Sequence, residues 1–339
     1  VAGFCDSAVA VMERTPDTGA VTWRDAYGEQ SDIPCVTNID GGVFNHPGAV
    51  AATGRPGELA VMTGERGYFP FYLLQWTGES LELTSVVPER PPVFDASRFA
   101  FVTDPVPNQV PPNPLDFRGL VDVTRSGSEL IGISGMTNAL GVIADGHATE
   151  FIQRGQDGVD GLECAVRLVM SADGSRLWVS QRCGAGVGVF DVDPERGGLA
   201  PGPALPVPSA VAGEIVEAIA PIGNDQVVGT VVSATAPAIV LLGRTDGRDR
   251  PGVRLGLRDC GGSGAFPVGA AASPDGTHLY IADFQGQGTG CVHTARVTGG
   301  ALELTETVED VRLLGAESIV TSADGREIVV ACHVAKAVT

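Results

Sequence analysis

One short pattern recurs along the chain and constrains its fold more than any other feature: Ser-x-Asp-Gly, followed by alternating large apolar residues. Its clear copies occupy 171–180, 273–282 and 322–331, and weaker copies begin at Arg125 and Ile222. Asp-Gly favours a tight turn between antiparallel strands because glycine tolerates positive φ. The turns return about every 50 residues, a spacing typical of repeat proteins. The chain is therefore predicted to consist of repeated β-units.

Each unit has room for four short strands. The segment 48–86 parallels 269–308 through its final strand, and not only in the hairpin. A period near 50 residues with four strands is typical of a β-propeller blade. A single such sheet cannot bury both of its faces, so we expect an all-β fold in which blades pack around a ring.

The repeats also resemble a known family. Ser273-Pro274-Asp275-Gly276, followed by Leu279-Tyr280-Ile281, is similar to the blade pattern of the YVTN and lactonase-like β-propellers. That resemblance covers most of the chain at the level of the blade. It implies a fold but no single function, because the family contains hydrolases, isomerases and binding proteins.

The repeats predict a single β-propeller domain over residues 1–339 with six or seven four-stranded blades. We expect N- and C-terminal strands to pair and close the ring, and a proline-rich insertion to interrupt it. Residues 98–102 could belong to a degraded seventh blade, which leaves the count open. The predicted blades lie near 48–88, 118–158, 165–207, 212–258 and 266–312, with a closing blade from 316–339 plus 7–30 and an insertion at 89–117.

Charge excludes two classes of partner. The 339 residues carry a formal net charge of −19. A nucleic-acid-binding protein needs a basic surface, and an anionic membrane would also repel this chain. No apolar run approaches the roughly 18 residues of a membrane helix, so we expect no membrane span. Because the first residue is Val1 and not Met, we read the sequence as a mature or trimmed chain.

Seven cysteines are present, and no two have Cys-x-x-Cys spacing. Cys164 and Cys183 are equidistant from the Asp173-Gly174 turn. Residues placed symmetrically about a hairpin turn face each other on adjacent strands, so this pair is predicted to form a disulfide. Cys260 and Cys291 are symmetric about the next clear turn and are likewise predicted to form a disulfide. For the remaining cysteines, Cys5–Cys35 is preferred, which leaves Cys332 unpaired, and Cys5–Cys332 is its alternative.

Disulfides persist in oxidising compartments. We therefore expect an extracellular, periplasmic or cell-surface protein. The alternative is a set of buried free thiols in a cytosolic chain.

Charged residues stand out on the strands expected to line the central channel, where small apolar residues such as those of 269–272 are expected. These charged residues could form a ligand site of mixed sign at the channel mouth. Alternatively, they are channel lining, paired with one another. The set is Arg118, Asp122, Arg167, Glu217 and Glu317.

Three further features have competing interpretations. Trp23, Trp76 and Trp178 are expected to pack between blades, or else to form a sugar-stacking platform. The glycine-rich segments 184–188 and 286–290 are expected to connect strands, because no helix follows them as nucleotide binding would require. No cofactor is expected, although the many carboxylates could hold Ca²⁺.

The sequence favours a binding or protein-interaction module with a protein or glycan partner, in which the proline-rich loop 105–114 could make contacts. The first alternative is a lactonase-like hydrolase with a divalent cation held by carboxylates in the channel. The second is a carbohydrate-binding lectin.

Overall fold

The computed structural model describes most of the chain. The described residues are 2–3, 8–14, 21–28, 47–53, 55–63, 71–87, 93–95, 100–102, 120–127, 129–135, 138–144, 147–156, 158–184, 186–193, 198–210, 213–245, 248–249, 252–258, 260, 265–285, 287–322, 324–332 and 337–338. They fall into two compact units. Unit 1 comprises Val1–Gln153 and Glu195–Gly198, and unit 2 comprises Arg154–Pro194 and Leu199–Thr339.

Unit 1 contains thirteen strands. They are β1 (Ala2–Gly3), β2 (Ala8–Arg14), β3 (Val21–Gly28), β4 (Pro47–Ala52), β5 (Glu58–Thr63), β6 (Phe71–Trp76), β7 (Leu81–Val87), β8 (Val93–Asp95), β9 (Ala100–Val102), β10 (Leu120–Ser126), β11 (Glu129–Ser134), β12 (Ala139–Ala144) and β13 (His147–Gln153).

Unit 2 contains seventeen strands and one turn of 3₁₀ helix at Val311–Leu313. The strands are β14 (Ala165–Met170), β15 (Arg176–Gln181), β16 (Gly186–Val192), β17 (Leu199–Pro201), β18 (Leu205–Pro206), β19 (Ile215–Ile222), β20 (Gln226–Val232), β21 (Ala238–Thr245), β22 (Arg248–Asp249), β23 (Val253–Gly256), β24 (Pro267–Ala272), β25 (His278–Asp283), β26 (Gly290–Thr298), β27 (Ala301–Asp310), β28 (Ala316–Thr321), β29 (Ile328–Cys332) and β30 (Ala337–Val338). No helix among the described residues has the length and apolar character needed to cross a membrane.

Five sheets have the strand order expected of propeller blades, with consecutive strands paired antiparallel. We number them blade 1 (β4–β7), blade 2 (β10–β13), blade 3 (β14–β17, with β18 also on β16), blade 4 (β19–β22, with β23 also on β21) and blade 5 (β24–β27). Three-stranded sheets contain β1–β3 and β28–β30. The all-β fold class predicted from the sequence is confirmed.

Inside the predicted insertion 89–117, β8 and β9 form a two-stranded sheet in which Phe94 is opposite Phe101. The proline-rich loop 105–114 lies outside the described residues. Six or seven blades, one domain over 1–339 and ring closure by the terminal strands stay predictions.

The Ser-x-Asp-Gly segments form tight turns for a reason visible in their side chains. In blade 5, the Gly276 amide donates to the Ser273 carbonyl at 2.9 Å, and Gly276 has a φ of 69°. The Ser273 hydroxyl donates to Asp275 Oδ1 at 2.5 Å and accepts from the His278 amide at 2.9 Å. The serine therefore joins the turn carboxylate to the next strand. Equivalent pairs are Ser171–Asp173 and Ser322–Asp324.

These hydrogen bonds make one contribution to stability depend on pH. Hydrogen bonds from the Ser273 hydroxyl, and then from Thr277, lower the pKa of Asp275 from 3.8 to about 2. A depressed folded-state pKa stabilises the protein fully above the unfolded pKa, and this stabilisation is lost as pH falls through the folded pKa. The Asp275→Asn variant should therefore melt below wild type at pH 7, and the difference should shrink from about pH 4 to pH 2. Calorimetry over this pH range measures the difference in melting temperature, with the variant Glu306→Gln at an exposed position as control. A difference that stays constant or widens toward pH 2 contradicts the interpretation.

Apolar faces of neighbouring blades pack together within unit 2. Trp178 of blade 3, 1% exposed, packs in one cluster with Val216, Val227 and Val240 of blade 4. A second cluster joins blades 4 and 5, and a third joins blade 5 to the sheet β28–β30. Trp178 is thus a core residue and not a sugar platform. Trp76 is half-buried, and the side chain of Trp23 lies outside the described part.

The glycine-rich segments end in strands, and close backbone contacts explain two of their glycines. A Cβ added to Gly188 in β16 would lie 2.2 Å from the Gly161 carbonyl oxygen. A Cβ on Gly290 in β26 would lie 1.8 Å from the Leu313 carbonyl oxygen. Neither position tolerates a side chain, so packing between backbone segments accounts for these glycines.

Candidate functional site

The first strands of the sheets in unit 2 are spatial neighbours in chain order: β14, β19, β24 and β28. Gly269, near the start of β24, lies against the backbone of Glu317, near the start of β28. At the other end, the Thr321 hydroxyl donates to the Ala272 carbonyl at 2.9 Å. These two strands therefore run in the same direction. The first strands of unit 2 begin at one end of its sheets, and we call this end the leading edge.

Six strands that begin a sheet carry a β-bulge or similar irregularity close to their start, two of them in unit 1 and four at the leading edge of unit 2. Pairing shifts register between Leu120 and Asp122 in β10, and equivalent shifts occur in β4, β14, β19, β24 and β28. A bulge redirects side chains and is common beside binding sites. Small residues are also required here, since a Cβ on Gly269 would lie 2.9 Å from the Glu317 carbonyl oxygen.

Four of the five predicted channel residues lie at or next to this bulge. Glu217 and Glu317 are inside the irregular step, whereas Asp122 and Arg167 follow it directly. Arg167, Glu217 and Glu317 belong to the leading edge of unit 2, and Asp122 belongs to unit 1. Arg118 lies outside the described residues. A shared ligand site for these side chains stays a prediction.

Glu217 is paired across two blades. Arg182, which follows β15, donates from Nε to Glu217 Oε2 at 2.7 Å and from Nη2 to Oε1. Hydrogen bonding to Glu217 raises the pKa of Arg182 against the opposing effect of burial. The Ser180 hydroxyl also donates to the Glu217 carbonyl at 3.1 Å. Glu217 is therefore an ion-paired side chain between blades 3 and 4, and its place in a channel stays a prediction.

A second buried carboxylate at this edge is neutralised in the same manner. Glu214 precedes β19, and its side chain is 2% exposed. Arg254 of β23 donates to its two oxygens at 2.9 and 2.5 Å and to the Ala236 carbonyl at 2.8 Å. Hydrogen bonding to Glu214 raises the pKa of Arg254. Sequence reasoning missed both arginine partners, because they come from other strands at distant positions in the chain.

Removing Arg182 tests whether this pairing stabilises the interface between blades. Arg182→Met leaves the Glu217 side chain, 10% exposed, without its guanidinium partner. Breaking a fully buried pair costs about 3–5 kcal/mol, but Arg182 is half exposed, so we expect about 1–2 kcal/mol lower stability. Urea unfolding measures this loss. The double variant Arg182→Met/Glu217→Leu should recover most of it, and equal destabilisation by the single and double variants would contradict the pairing.

Two disulfides lie at the leading edge. Cys164 pairs with Cys183, and Cys260 with Cys291, with Cα–Cα distances of 5.3 and 6.3 Å. They are the two pairs that the turn symmetry predicts. Cys332 is a buried free thiol whose pKa is raised by burial, so the alternative Cys5–Cys332 is not formed. The preferred Cys5–Cys35 pair lies outside the described residues.

A polar cluster surrounds the second disulfide. Asp283, at the end of β25, and His293, in β26, are fully buried, and His293 Nε2 lies 3.2 Å from Asp283 Oδ2. Cys260 and Cys291 complete a group whose four ligand atoms lie within 4.8 Å of one another. Within the described ranges, this is the one group of at least three His, Cys, Asp or Glu side chains that could hold a metal ion. Its ligands differ from the all-oxygen set that Ca²⁺ prefers.

Exposed apolar side chains also lie at the leading edge. Phe266, immediately before β24, is 46% exposed and makes an edge-to-face contact with Phe284 at 6.5 Å between ring centroids. Val311, in the 3₁₀ turn before β28, is 64% exposed. Phe266 and Val311 could not be identified from the sequence, because they lie in connections outside the repeated pattern.

Comparison with known proteins identifies the fold class. No protein-family model and no sequence among the curated proteins matches the chain. A candidate 6-phosphogluconolactonase from Bacteroides uniformis is similar in structure, with a TM-score of 0.63 at 12% identity over 97% of this chain and 86% of that one.

Two other solved structures are similar over most of their length. The periplasmic gluconolactonase PpgL of Pseudomonas aeruginosa has a TM-score of 0.58 at 13% identity, over 89% of this chain and 77% of that one. The β-propeller domain of Swd1 from Myceliophteria thermophila has a TM-score of 0.54 at 10% identity, over 84% and 79%. Such low identity shows the fold alone. The chain has a β-propeller fold, which agrees with the blade pattern stated from the repeats.

Proposed function

We propose that this β-propeller is a secreted or periplasmic binding module that recognises a protein partner through the leading edge of unit 2. One observation carries the proposal: exposed apolar side chains and charged side chains lie at the same disulfide-braced edge. We call the residues Arg167, Phe266, Val311 and Glu317 the leading-edge patch.

Rigidity supports a recognition role. Both disulfides described in unit 2 and the bidentate pairs Arg182–Glu217 and Arg254–Glu214 lie at this edge. A surface that is already ordered loses less conformational entropy when it binds. Aromatic and arginine side chains such as Phe266 and Arg167 are also those that contribute most to protein interfaces.

The hydrogen bonds of two buried carboxylates favour a binding role over hydrolysis. Glu214 and Glu217 both accept bidentate hydrogen bonds from arginine, so neither is free to coordinate a hard cation or to act as a general base. A lactonase-like hydrolase would need a cluster of unpaired carboxylates. The described residues contain no such cluster of three.

The disulfides also support the proposed location in an oxidising compartment. Two disulfides in a chain with only seven cysteines favour an oxidising environment. One structural relative is described as periplasmic, which is consistent with such a location but belongs to that protein.

In the experiment, immobilised wild type and two immobilised variants are each incubated with the envelope fraction and the medium of the source organism, and the retained proteins are compared. Phe266→Ala/Val311→Ala alters the leading-edge patch, whereas Val320→Ala removes a side chain that is 55% exposed near the other end of β28. Quantitative mass spectrometry should identify a protein retained by wild type and by Val320→Ala and lost by at least about tenfold from the double variant. The identified partner is then purified and its affinity measured with the same three proteins.

Other results separate the alternatives. Equal retention by all three proteins would contradict the use of the leading edge. Turnover of gluconolactones that is lost in Glu317→Gln would support the hydrolase, and a glycan-array signal without a protein partner would support the lectin.

A further inference from the structure

We propose that Cys260, Asp283, Cys291 and His293 bind one Zn²⁺ when the Cys260–Cys291 disulfide is reduced. Zinc binding at this site would not require the proposed partner. It lies in blade 5 and in the segment that precedes it.

Four of the six separations between the ligand atoms are already close to those that a tetrahedral zinc ion requires. His293 Nε2 lies 3.2 Å from Asp283 Oδ2, 3.5 Å from Cys260 Sγ and 3.7 Å from Cys291 Sγ. Cys291 Sγ lies 3.8 Å from Asp283 Oδ2. Zinc bonds of about 2.0–2.3 Å at tetrahedral angles place ligand atoms about 3.3–3.8 Å apart. Once the sulfur–sulfur bond is broken, the two sulfur atoms must separate, and all four ligand atoms already lie within 4.8 Å of one another.

The outer contacts orient the ligand atoms toward the centre. The Phe266 amide at 2.6 Å and Gln285 Nε2 at 3.1 Å donate to Asp283 Oδ1, so Oδ2 faces the group. Thr307 Oγ1 lies 3.0 Å from His293 Nδ1, so Nε2 faces inward. Zinc-binding histidines and carboxylates have such second contacts, which set ring orientation and ligand basicity.

Complete burial indicates a structural metal site. Cys260, Asp283, Cys291 and His293 all have a relative exposure of 0%. A closed four-ligand set leaves no position for substrate or water, which is typical of structural zinc. A disulfide needs no buried carboxylate or imidazole beside it. The other disulfide, Cys164–Cys183, is not part of a comparable group among the residues described.

The chemistry balances with a dithiol as reductant. One thiolate of the dithiol attacks a sulfur of the Cys260–Cys291 disulfide, the sulfur–sulfur bond breaks, and the second thiol closes the reductant into its own disulfide. Two electrons thus pass to the protein, which holds two thiols. Zn²⁺ then displaces both thiol protons and is bound as the dithiolate, with the neutral imidazole and the carboxylate as remaining ligands.

The test uses the Cys164→Ser/Cys183→Ser variant, in which the proposed site contains the only described disulfide. It is reduced anaerobically with excess dithiol, and the reductant is removed after one equivalent of Zn²⁺ has been added. Native mass spectrometry should show one zinc per chain in the reduced protein and none in the oxidised protein. Substitution with Co²⁺ should give thiolate-to-cobalt charge-transfer absorption and tetrahedral d–d bands.

Two further variants identify the ligands. Asp283→Asn should weaken zinc binding by at least about tenfold, and Thr307→Val, which changes only an outer contact, by about tenfold. Chelator competition measures both affinities, and circular dichroism confirms that each variant is folded. Absence of zinc from the reduced protein would overturn the proposal, as would unfolding on reduction despite added zinc. Equal zinc binding by Cys260→Ser/Cys291→Ser would also overturn it.

Discussion

Replacing Trp178 by alanine should lower the free energy of unfolding by about 3–5 kcal/mol, the usual cost of removing a large buried aromatic side chain. Trp178 is 1% exposed and packs between blades 3 and 4 against Val216 and Val240. The substitution leaves a cavity bounded by both blades, so the loss includes lost burial and lost packing. Urea unfolding monitored by far-UV circular dichroism measures it.

Trp76→Ala is the comparison, because Trp76 is also a strand tryptophan but is only half-buried. Its effect should be smaller by at least about 1 kcal/mol, in keeping with the dependence of such losses on burial. Equal effects at the two positions would show that Trp178 does not anchor the interface between blades 3 and 4.

Removing the Cys164–Cys183 disulfide should have the next largest effect. The two cysteines are 19 residues apart, and closing a loop of that length stabilises the folded state by about 3 kcal/mol. The free energy of unfolding of Cys164→Ser/Cys183→Ser should therefore be about 3 kcal/mol lower than that of wild type under oxidising conditions. Urea unfolding measures the difference.

The backbone at Cys164 supplies a control. Its φ of 48° lies in the left-handed region that favours glycine, so a residue with a Cβ is strained there. Cys164→Gly/Cys183→Ser should therefore recover up to about 1 kcal/mol relative to the double serine variant. If wild type loses no stability on reduction and both variants match it, the disulfide does not brace blade 3.

Local chemistry explains why the fold could be predicted. Each turn of Ser-x-Asp-Gly closes through its own hydrogen bonds, as Ser273 and Asp275 show, so four residues suffice to reveal a hairpin. Because the hairpins recur at one spacing, the sequence also indicates repeated sheets. The same symmetry reveals Cys164–Cys183, whose partners are placed by the strands on either side of a turn.

The candidate site could be predicted only in part, because its contacts join distant segments. The charged residues Arg167, Glu217 and Glu317 interrupt an apolar pattern and are therefore visible in the sequence. Their partners are not: Arg182 and Arg254 are set by blade packing and by the pairing of β23 with β21.

The proposed zinc ligands could not be identified from the sequence for a similar reason. Asp283, Cys291 and His293 lie within eleven residues of one another, but no standard metal-binding spacing connects them to Cys260. The side chains converge because β25 and β26 pair, which places Asp283 opposite Cys291.

Site-specific photo-crosslinking tests most directly whether the leading edge binds a partner. A photoreactive phenylalanine analogue replaces Phe266 in one protein and Val320 in the other, both exposed positions in unit 2. After illumination with the purified partner, we expect a crosslinked product from position 266 and at least about tenfold less from position 320. Equal crosslinking at both positions, or crosslinking at position 320 alone, would contradict the assignment of the leading edge as the binding surface.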